Sequence, residues 1–527
     1  MKNIIKLIVF AAALFLGFYL IFGPGFDGFE IRNGKDTGEQ EKLDHIVDNG
    51  AGIHAMDMIE ILSDPEFMGR KTGSEGFEMA AKFVEGIYKE LELEPVIQAN
   101  DQPGYRQIYE QPYNQLRKPF EFSLSHQTGS ELTPSFGEKF TFDPSSDRGD
   151  MKEEMVFVGH GIKEKDYDDF QGVCLDGKIA VALFRIPGEF SPQAYIDRAE
   201  QIADKGAKAL VYIVEDDDEE IKTSVFARWW GSREPAPFPV VWIDESTGDE
   251  LLKPATFNVS EWKEDFQVRN RPRSFPLDYD ARIKVENTRK DAQGMNLVAK
   301  KEFSPNSPYL LLTAHLDTPG ITLKGENLPG ANDNASGVGV LLETISRIQR
   351  ENKEYPFNII LAIFGGEEDG LRGSKHFVDN MPVDPAEIAQ VINIDMVGAG
   401  EDKLVARAPK GGIEQLERPL ENLAKRSENF EYQQKGLTPR SDHWSFAVKG
   451  YPTIYLYRPL HENPSKELNL EQDEFYHTPE DKPETLVESY LDNTVNLLLE
   501  LFDEIDVIDK KESAGSYLIS YHHFVCL

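Results

Sequence analysis

Two histidines and a group of carboxylates recur through the second half of the chain in a pattern that could hold metal. They are His315 and Asp317 in His315-Leu-Asp317, Asp333 in Gly330-Ala-Asn-Asp333-Asn-Ala-Ser-Gly337, Glu367 and Glu368 in Gly365-Gly-Glu367-Glu368-Asp369-Gly370, then Asp395, and His477 in Tyr476-His477-Thr-Pro-Glu-Asp481. Each alone has a plain structural explanation. A single His-x-Asp is more often a capped surface histidine than a ligand. Asp333 stands where the N-cap of a following helix would stand. Paired glutamates make a solvated turn, and Asp395 could cap a loop. Taken together they form an imidazole and carboxylate set without thiolate, which suits zinc, with cobalt or manganese able to substitute. One catalytic zinc takes three protein ligands and a water. The set exceeds that and suits two ions about 3.5–4 Å apart, sharing a carboxylate. Neighbouring Glu367 and Glu368 cannot easily face the same ion. One would ligate, and the other would take the proton of an attacking water.

The elements that must position these groups read as alternating strands and helices from Met295 onward. Apolar runs predict strands at Tyr309–Ala314, Phe357–Phe364, Val391–Ile394 and Thr453–Tyr457, and helical spacing predicts helices at Ser336–Gln349 and about Pro483 to Phe502. That alternation predicts an α/β fold with a mixed, mainly parallel central sheet and helices on both faces. In such sheets ligands bind beyond the carboxyl ends of the strands, where the candidate residues fall in order. Upstream, Thr72-Gly-Ser-Glu75 fits a capping box, followed by Phe77, Ala80, Val84, Ile87 and Leu91 at helical spacing. Residues 95 to about 150 show weak alternation and predict short strands and loops.

This ordered set resembles the di-zinc exopeptidase family of bacterial leucyl aminopeptidases, which includes glutamate carboxypeptidase II. The resemblance covers roughly residues 45–95 and 290–505, with Thr318 where Ser is more usual after His-x-Asp. It implies that His315 and Asp395 hold one zinc, that Glu368 and His477 hold the other, and that Asp333 bridges them. It makes Glu367 the general base and Asp317 the carboxylate that orients His315. Ser441-Asp-His443-Trp-Ser-Phe446 matches a family segment bordering the site, with no metal assigned to His443. The implied activity is zinc-dependent removal of N-terminal residues from peptides through a metal-bridged hydroxide. Three relatives supply alternatives: a carboxypeptidase of the glutamate carboxypeptidase type, a glutaminyl cyclase, or a non-catalytic receptor. The last is disfavoured because no ligand is missing. A serine hydrolase on Ser441, Asp442 and His443 is disfavoured too, since triad members are brought together by folding and no nucleophile elbow is present.

Between the two parts, 119–284 reads as an insertion. Its strands at Met155–Gly159, Lys178–Phe184, Gly206–Val214 and Phe238–Ile243, with a helix over Tyr195–Lys205, form a β-rich module. Residues 150–255 resemble a protease-associated domain, on Gly159-His-Gly161, Tyr167-Asp168, Gly177-Lys-Ile179 and Gly206-Ala-Lys-Ala209, which implies a role in shaping access to the site. The acidic run Glu215–Glu220 lacks the offsets of a calcium loop and reads as a solvated loop. The peptidase domain is accordingly discontinuous, at 45–118 and 285–508, with a linker at 26–44 and a tail at 509–527.

At the start, Lys2 and Lys6 precede the uncharged run Leu7–Phe22, which ends at Gly23-Pro-Gly25. This predicts a membrane signal anchor over 1–25 with the body extracytoplasmic; the alternative is a signal peptide cleaved to give a secreted or periplasmic protein. The net charge of −36 over 527 residues disfavours nucleic acid as a partner; a peptide substrate is what the family resemblance implies. Two cysteines, Cys174 and Cys526, are too few for a disulfide framework or a thiolate zinc site.

Overall fold

The computed structural model of the chain describes residues 52–99, 102–187, 190, 191, 194, 197–215, 236–459 and 475–505. The expected anchor, linker and tail lie outside the described residues, as does the acidic run after Glu215. No helix among the described residues is long and apolar enough to cross a membrane.

The described chain begins with two helices. α1 (Ala55–Leu62) buries Ala55, Met58, Ile59 and Leu62, and α2 (Glu75–Glu90) buries Phe77, Ala80, Val84 and Ile87 at the expected spacing. The cap of α2 is Ser74, whose hydroxyl accepts the Phe77 N–H. Thr72, expected to open a capping box, turns its hydroxyl to the site instead.

A long strand, β1 (Arg106–His126), occupies the region where short strands and loops were expected. Its buried alternate positions include Gln107, Tyr109, Gln111 and Tyr113. These are polar or amphipathic, so a period of two is present without an aliphatic alternation to announce it, and Pro112 and Pro119 obscure it further. The strands of three or more residues that follow are β2 (Phe140–Phe142), β3 (Gly149–Phe157), β4 (Ile179–Leu183), β5 (Ala209–Val214) and β6 (Val240–Asp244). Then β7 (Phe275–Lys301) returns along almost the whole of β1, with a register shift between Lys284 and Glu286. The resulting ribbon runs through 118/119 and 284/285, the expected boundaries of the insertion.

In the inserted module β3, β4, β5 and β6 are parallel neighbours. β2 closes one edge and β7 the other, both antiparallel. Successive residues face opposite sides. Phe157, Ile179 and Val181 pack with Trp262 and Phe266 of α5 (Val259–Arg269), which follows α3 (Arg198–Asp204) and α4 (Glu245–Leu252). Val156, Ala180 and Ala182 pack with Ile202 of α3.

The peptidase half adds β8 (Tyr309–His315), α6 (Ser336–Arg350), β9 (Asn358–Phe364), α7 (Arg372–Asp379), β10 (Ile388–Ile394), β11 (Leu404–Ala408), α8 (Glu414–Arg426), β12 (Phe430–Gln434), α9 (His443–Ala447), β13 (Thr453–Tyr457) and α10 (Glu488–Asp503). Across the sheet the order is β12-β11-β13-β10-β8-β9-β7. β9, β8, β10 and β13 are parallel, which is the expected mainly parallel core. Helices cover both faces: Phe377 of α7 and Phe446 of α9 pack on Leu311, Ile360 and Val391, while Leu420 of α8 and Leu497, Leu498 and Leu501 of α10 pack on Ile392, Ile454 and Leu456. The expected helix from Pro483 starts instead as a 3₁₀ turn, Pro483–Thr485. The Val487 N–H then donates to Gly398 O, which holds the chain extended before α10 begins.

Register places the site. His315 pairs with Phe364, Thr313 with Asn393, and Ile394 with Leu456. The residues after β8, β9 and β10 therefore leave the sheet together. β8 is flanked by β9 on one side and β10 on the other, so the chain reverses its direction of growth across the sheet there, where a crevice opens.

Candidate metal centre

All seven residues singled out by the sequence meet at this edge. Nε2 of His315 lies 3.1 Å from Asp333 Oδ1 and 3.4 Å from Asp395 Oδ1. Nε2 of His477 lies 3.0 Å from the other Asp333 oxygen, Oδ2, and 3.0 Å from Glu368 Oε1. Two donor groups result, His315/Asp333/Asp395 and Asp333/Glu368/His477, and within each the ligating atoms lie within 4.8 Å of one another. Asp333 is common to both and turns one oxygen to each. The residues fit a pair of zinc ions on this chain's own geometry. The donors are nitrogen and oxygen, and Asp395 Oδ1 and Glu368 Oε1 are buried beside imidazole nitrogens without making a hydrogen bond.

Asp333 lies just before α6, in a stretch that folds irregularly for identifiable reasons. Its backbone N–H and that of Asn332 both donate to the Asp481 carboxylate, at 3.1 and 2.8 Å. Asn334, rather than Asp333, serves the first turn of α6, its Oδ1 accepting the Gly337 N–H while its amide donates to Ile394 O. Asn332 Oδ1 accepts from Gly398 and Ala399. The two asparagines thus tie the Asp333 segment to the end of β10, and Asp481 ties it to the His477 segment. Tyr476 stacks on the His477 ring at 3.8 Å between centroids.

Glu367 and Glu368 sit on a loop gripped from three sides. The Gly366 N–H donates to Thr72 Oγ1 at 2.8 Å, and the Gly365 N–H approaches Asn296 Oδ1 at 3.4 Å. The Glu367 and Glu368 N–H groups donate to the two oxygens of Asp317 at 3.2 and 3.4 Å. This refines the part expected of Asp317. Its carboxylate serves the backbone of the glutamate pair, and His315 Nδ1 is nearer the Asp317 carbonyl, at 3.1 Å, than its carboxylate, at 3.7 Å. A Nδ1–H to that carbonyl would present Nε2 to a metal. Thr318 also serves the loop frame, its hydroxyl donating to Gly69 O and accepting the Gly320 N–H.

The sequence reading missed Arg70. It is wholly buried, and its guanidinium donates to the carbonyls of Leu62, Leu316, Pro329 and Gly330. One side chain therefore joins the loop after His315 to the loop before Asp333. The available signal was a cation in Gly69-Arg-Lys-Thr72-Gly, too short a stretch to distinguish from a surface turn.

Electrostatically the centre is dominated by packed carboxylates. Burial pushes Glu367 well above the carboxylate range, with Glu368, Asp442 and Asp395 adding to the rise and His315 opposing it. Burial raises Asp317 to about 8. Burial would lower His477, but Glu368 and Asp333 outweigh it and lift the imidazole to about 10. Asp333 is held low, because its two histidine partners outweigh the cost of burial. Burial lowers Arg70 to about 10, opposed by Asp481, Asp317, Asp333 and Glu368. His443, the other imidazole nearby, belongs to neither donor group: its Nε2–H donates to Thr438 O at 2.9 Å, it stacks on Tyr455 at 4.2 Å, and burial lowers it to about 3.

Residues 296–502 match peptidase family M28. Aminopeptidase YwaD of Bacillus subtilis is 27% identical over 257 residues, covering 47% of this chain and 53% of that protein. A probable lipoprotein aminopeptidase, LpqL, of Mycobacterium tuberculosis is 27% identical over 207 residues, covering 39% of this chain and 34% of that protein. These matches span about half the length of the curated relatives or less. Among solved structures, an aminopeptidase from Aneurinibacillus sp. strain AM-1 shares the fold with a TM-score of 0.60 at 21% identity, over 90% of this chain and 98% of its own. A zinc aminopeptidase from Bacillus subtilis does so with a TM-score of 0.55 at 22% identity, over 88% and 96%. The stretch that matches peptidase family M28 contains every metal-ligand candidate, from His315 to His477.

Proposed function

We propose that the chain is a zinc-dependent aminopeptidase that removes N-terminal residues from peptides. The observation that carries this is the division of Asp333, one oxygen toward His315 and the other toward His477, between two complete donor groups. His315, Asp333 and Asp395 would hold one zinc, and Asp333, Glu368 and His477 the other; cobalt or manganese could substitute. Bound zinc would polarise the scissile carbonyl and acidify an attacking water. Glu367 is a carboxylate beside these groups that belongs to neither. Its oxygen takes the proton from the attacking water and returns it to the leaving amine. Asp317 holds Glu367 and Glu368 through their N–H groups, so the base and its ligand neighbour diverge from one anchor.

The charge of the crevice selects which end of the peptide enters. Asp317, Asp333, Glu367, Glu368 and Asp395 converge there, and the buried cation Arg70 is committed to backbone carbonyls. With two divalent ions neutralising most of this charge, a free ammonium remains a better guest than a second carboxylate. The inserted module, as a protease-associated domain, would border the route to the site, and the body would lie outside the cytoplasm behind its leader. The deciding experiment combines metal analysis with paired substrates. About two zinc-class ions per chain are expected, with loss of activity on chelation and recovery with zinc or cobalt. A free-amine peptide should be cleaved, its N-acetyl form should be nearly inert, and C-terminal amidation should matter little. Full activity without metal would overturn the assignment. Tolerance of N-acetylation with a strict need for a free C-terminal carboxylate would establish a carboxypeptidase.

A further inference from the structure

The loop that carries Glu367 is held on its N-terminal side by backbone hydrogen bonds to Asn296, Thr72 and Asp317. On its C-terminal side the hold is a side chain, Asp369. Asp369 Oδ2 accepts from Gln111 Nε2 at 2.6 Å, and Oδ1 lies 3.5 Å from Lys71 Nζ. The lysine and aspartate side chains are 7% and 2% exposed, so the pair is a buried ion pair and not a solvated one. Gln111 belongs to the inward face of β1, next to Tyr109, and both reach the backbone at Gly366. A Cβ there would come within 2.8 Å of Tyr109 Oη and 3.1 Å of Gln111 Oε1. Lys71 is adjacent to Thr72, so one short segment grips the glutamate pair on both sides.

We infer that Lys71, Asp369 and Gln111 are positioning residues for the general base, and that through Gln111 the ribbon carrying the inserted module sets the position of Glu367. This rests on the aminopeptidase reading above. The turn Glu367–Gly370 closes by Gly370 and Leu371 N–H groups donating to Glu367 O. Anchoring the Asp369 carboxylate therefore fixes the carbonyl and side-chain direction of Glu367 without touching substrate. A proton acceptor displaced by about 1 Å can lose on the order of a hundredfold in rate while substrate affinity is kept. Removing the lysine from this buried ion pair weakens the hold on the Asp369 carboxylate, which adds to the displacement.

The test compares the metal-loaded full chain with Gln111→Leu, Lys71→Met, Lys71→Arg and the double variant Lys71→Met/Asp369→Asn, reading kcat, KM, bound metal and Tm. Expected are a fall in kcat of roughly ten- to a hundredfold for Gln111→Leu and Lys71→Met, with KM and metal content near wild type. Lys71→Arg keeps the cation and should retain most activity. The double variant removes both charges of the pair and should have a Tm above that of Lys71→Met with no gain in kcat. Wild-type kcat in Gln111→Leu, or activity lost only in proportion to metal, would overturn the inference. Should Lys71→Met fail to fold, Gln111→Leu and Lys71→Arg still decide it. Glu367→Gln separates the levels: if that variant is dead and Gln111→Leu is fully active, only the positioning role falls. If Glu367→Gln turns over normally, the general-base reading falls and takes this inference with it.

Discussion

Glu367 and Glu368 are adjacent in the chain but differently placed at the site. Glu368 Oε1 meets His477 Nε2 at 3.0 Å, whereas Glu367 belongs to neither donor group. Desolvation and neighbouring carboxylates raise both carboxyl groups, so their environments alone would not tell them apart. Their directions do, and those follow from Asp317 holding the two consecutive N–H groups. Glu367→Gln keeps size and removes only the proton acceptor. It should retain both metals and its KM while turnover falls by about 10²–10⁴-fold or more. Glu368→Gln should lower metal content first and activity as a consequence. Metal analysis beside steady-state kinetics reads both, and exchanged phenotypes would show the roles to be reversed.

At the scale of elements, the sequence was legible where a single physical cause dominates. β8, β9 and β10 are buried on both faces and read as continuous apolar runs, and the ligands stand at their carboxyl ends. β1 was not legible, because its inward face uses Gln and Tyr to hold a loop instead of aliphatic residues to fill a core. Thr72 was misread for a related reason. Its local pattern suits a cap, but its hydroxyl is used by Gly366, some 294 residues away in sequence, and no local rule sees that. Arg70 and Asp481 are likewise defined by distant carbonyls and N–H groups. The Gly159-His-Gly161 turn of the inserted module shows the same economy. Asp169 accepts from the His160 and Ile162 N–H groups and from Tyr167 Oη. Burial pushes this carboxyl up to about 7 despite those bonds. A folded value raised above the unfolded one, near 4, gives stability that is present below pH 4 and lost as pH climbs through 7. Asp169→Asn lacks this titration. Its Tm relative to wild type should therefore rise between pH 5 and pH 8, by an amount corresponding to about 2–4 kcal/mol. A difference that stays flat over that range would show the aspartate to be ionised throughout.

For the whole molecule, the question is where the working body begins. The Ile53 N–H donates to Ser346 Oγ and the Ala55 N–H to Glu343, both on α6, and α1 packs against α6 and α10. α6 starts just after Asp333, so the first described residues already brace the element that follows the bridging ligand. The apolar run Leu7–Phe22 has the length and composition that suit lipid. Deleting 1–25 should then give a soluble protein with wild-type kcat and metal content. Extending the deletion through Leu62 removes the buried face of α1, Met58, Ile59 and Leu62, and should abolish folding. In its native host the full-length chain should sediment with membranes at its unprocessed mass and be released by detergent but not by high salt, because burial of an apolar helix is not screened by ions. A mature N-terminus lying beyond Phe22 would show instead that the segment is removed as a signal peptide, and the body would then be found free of the membrane.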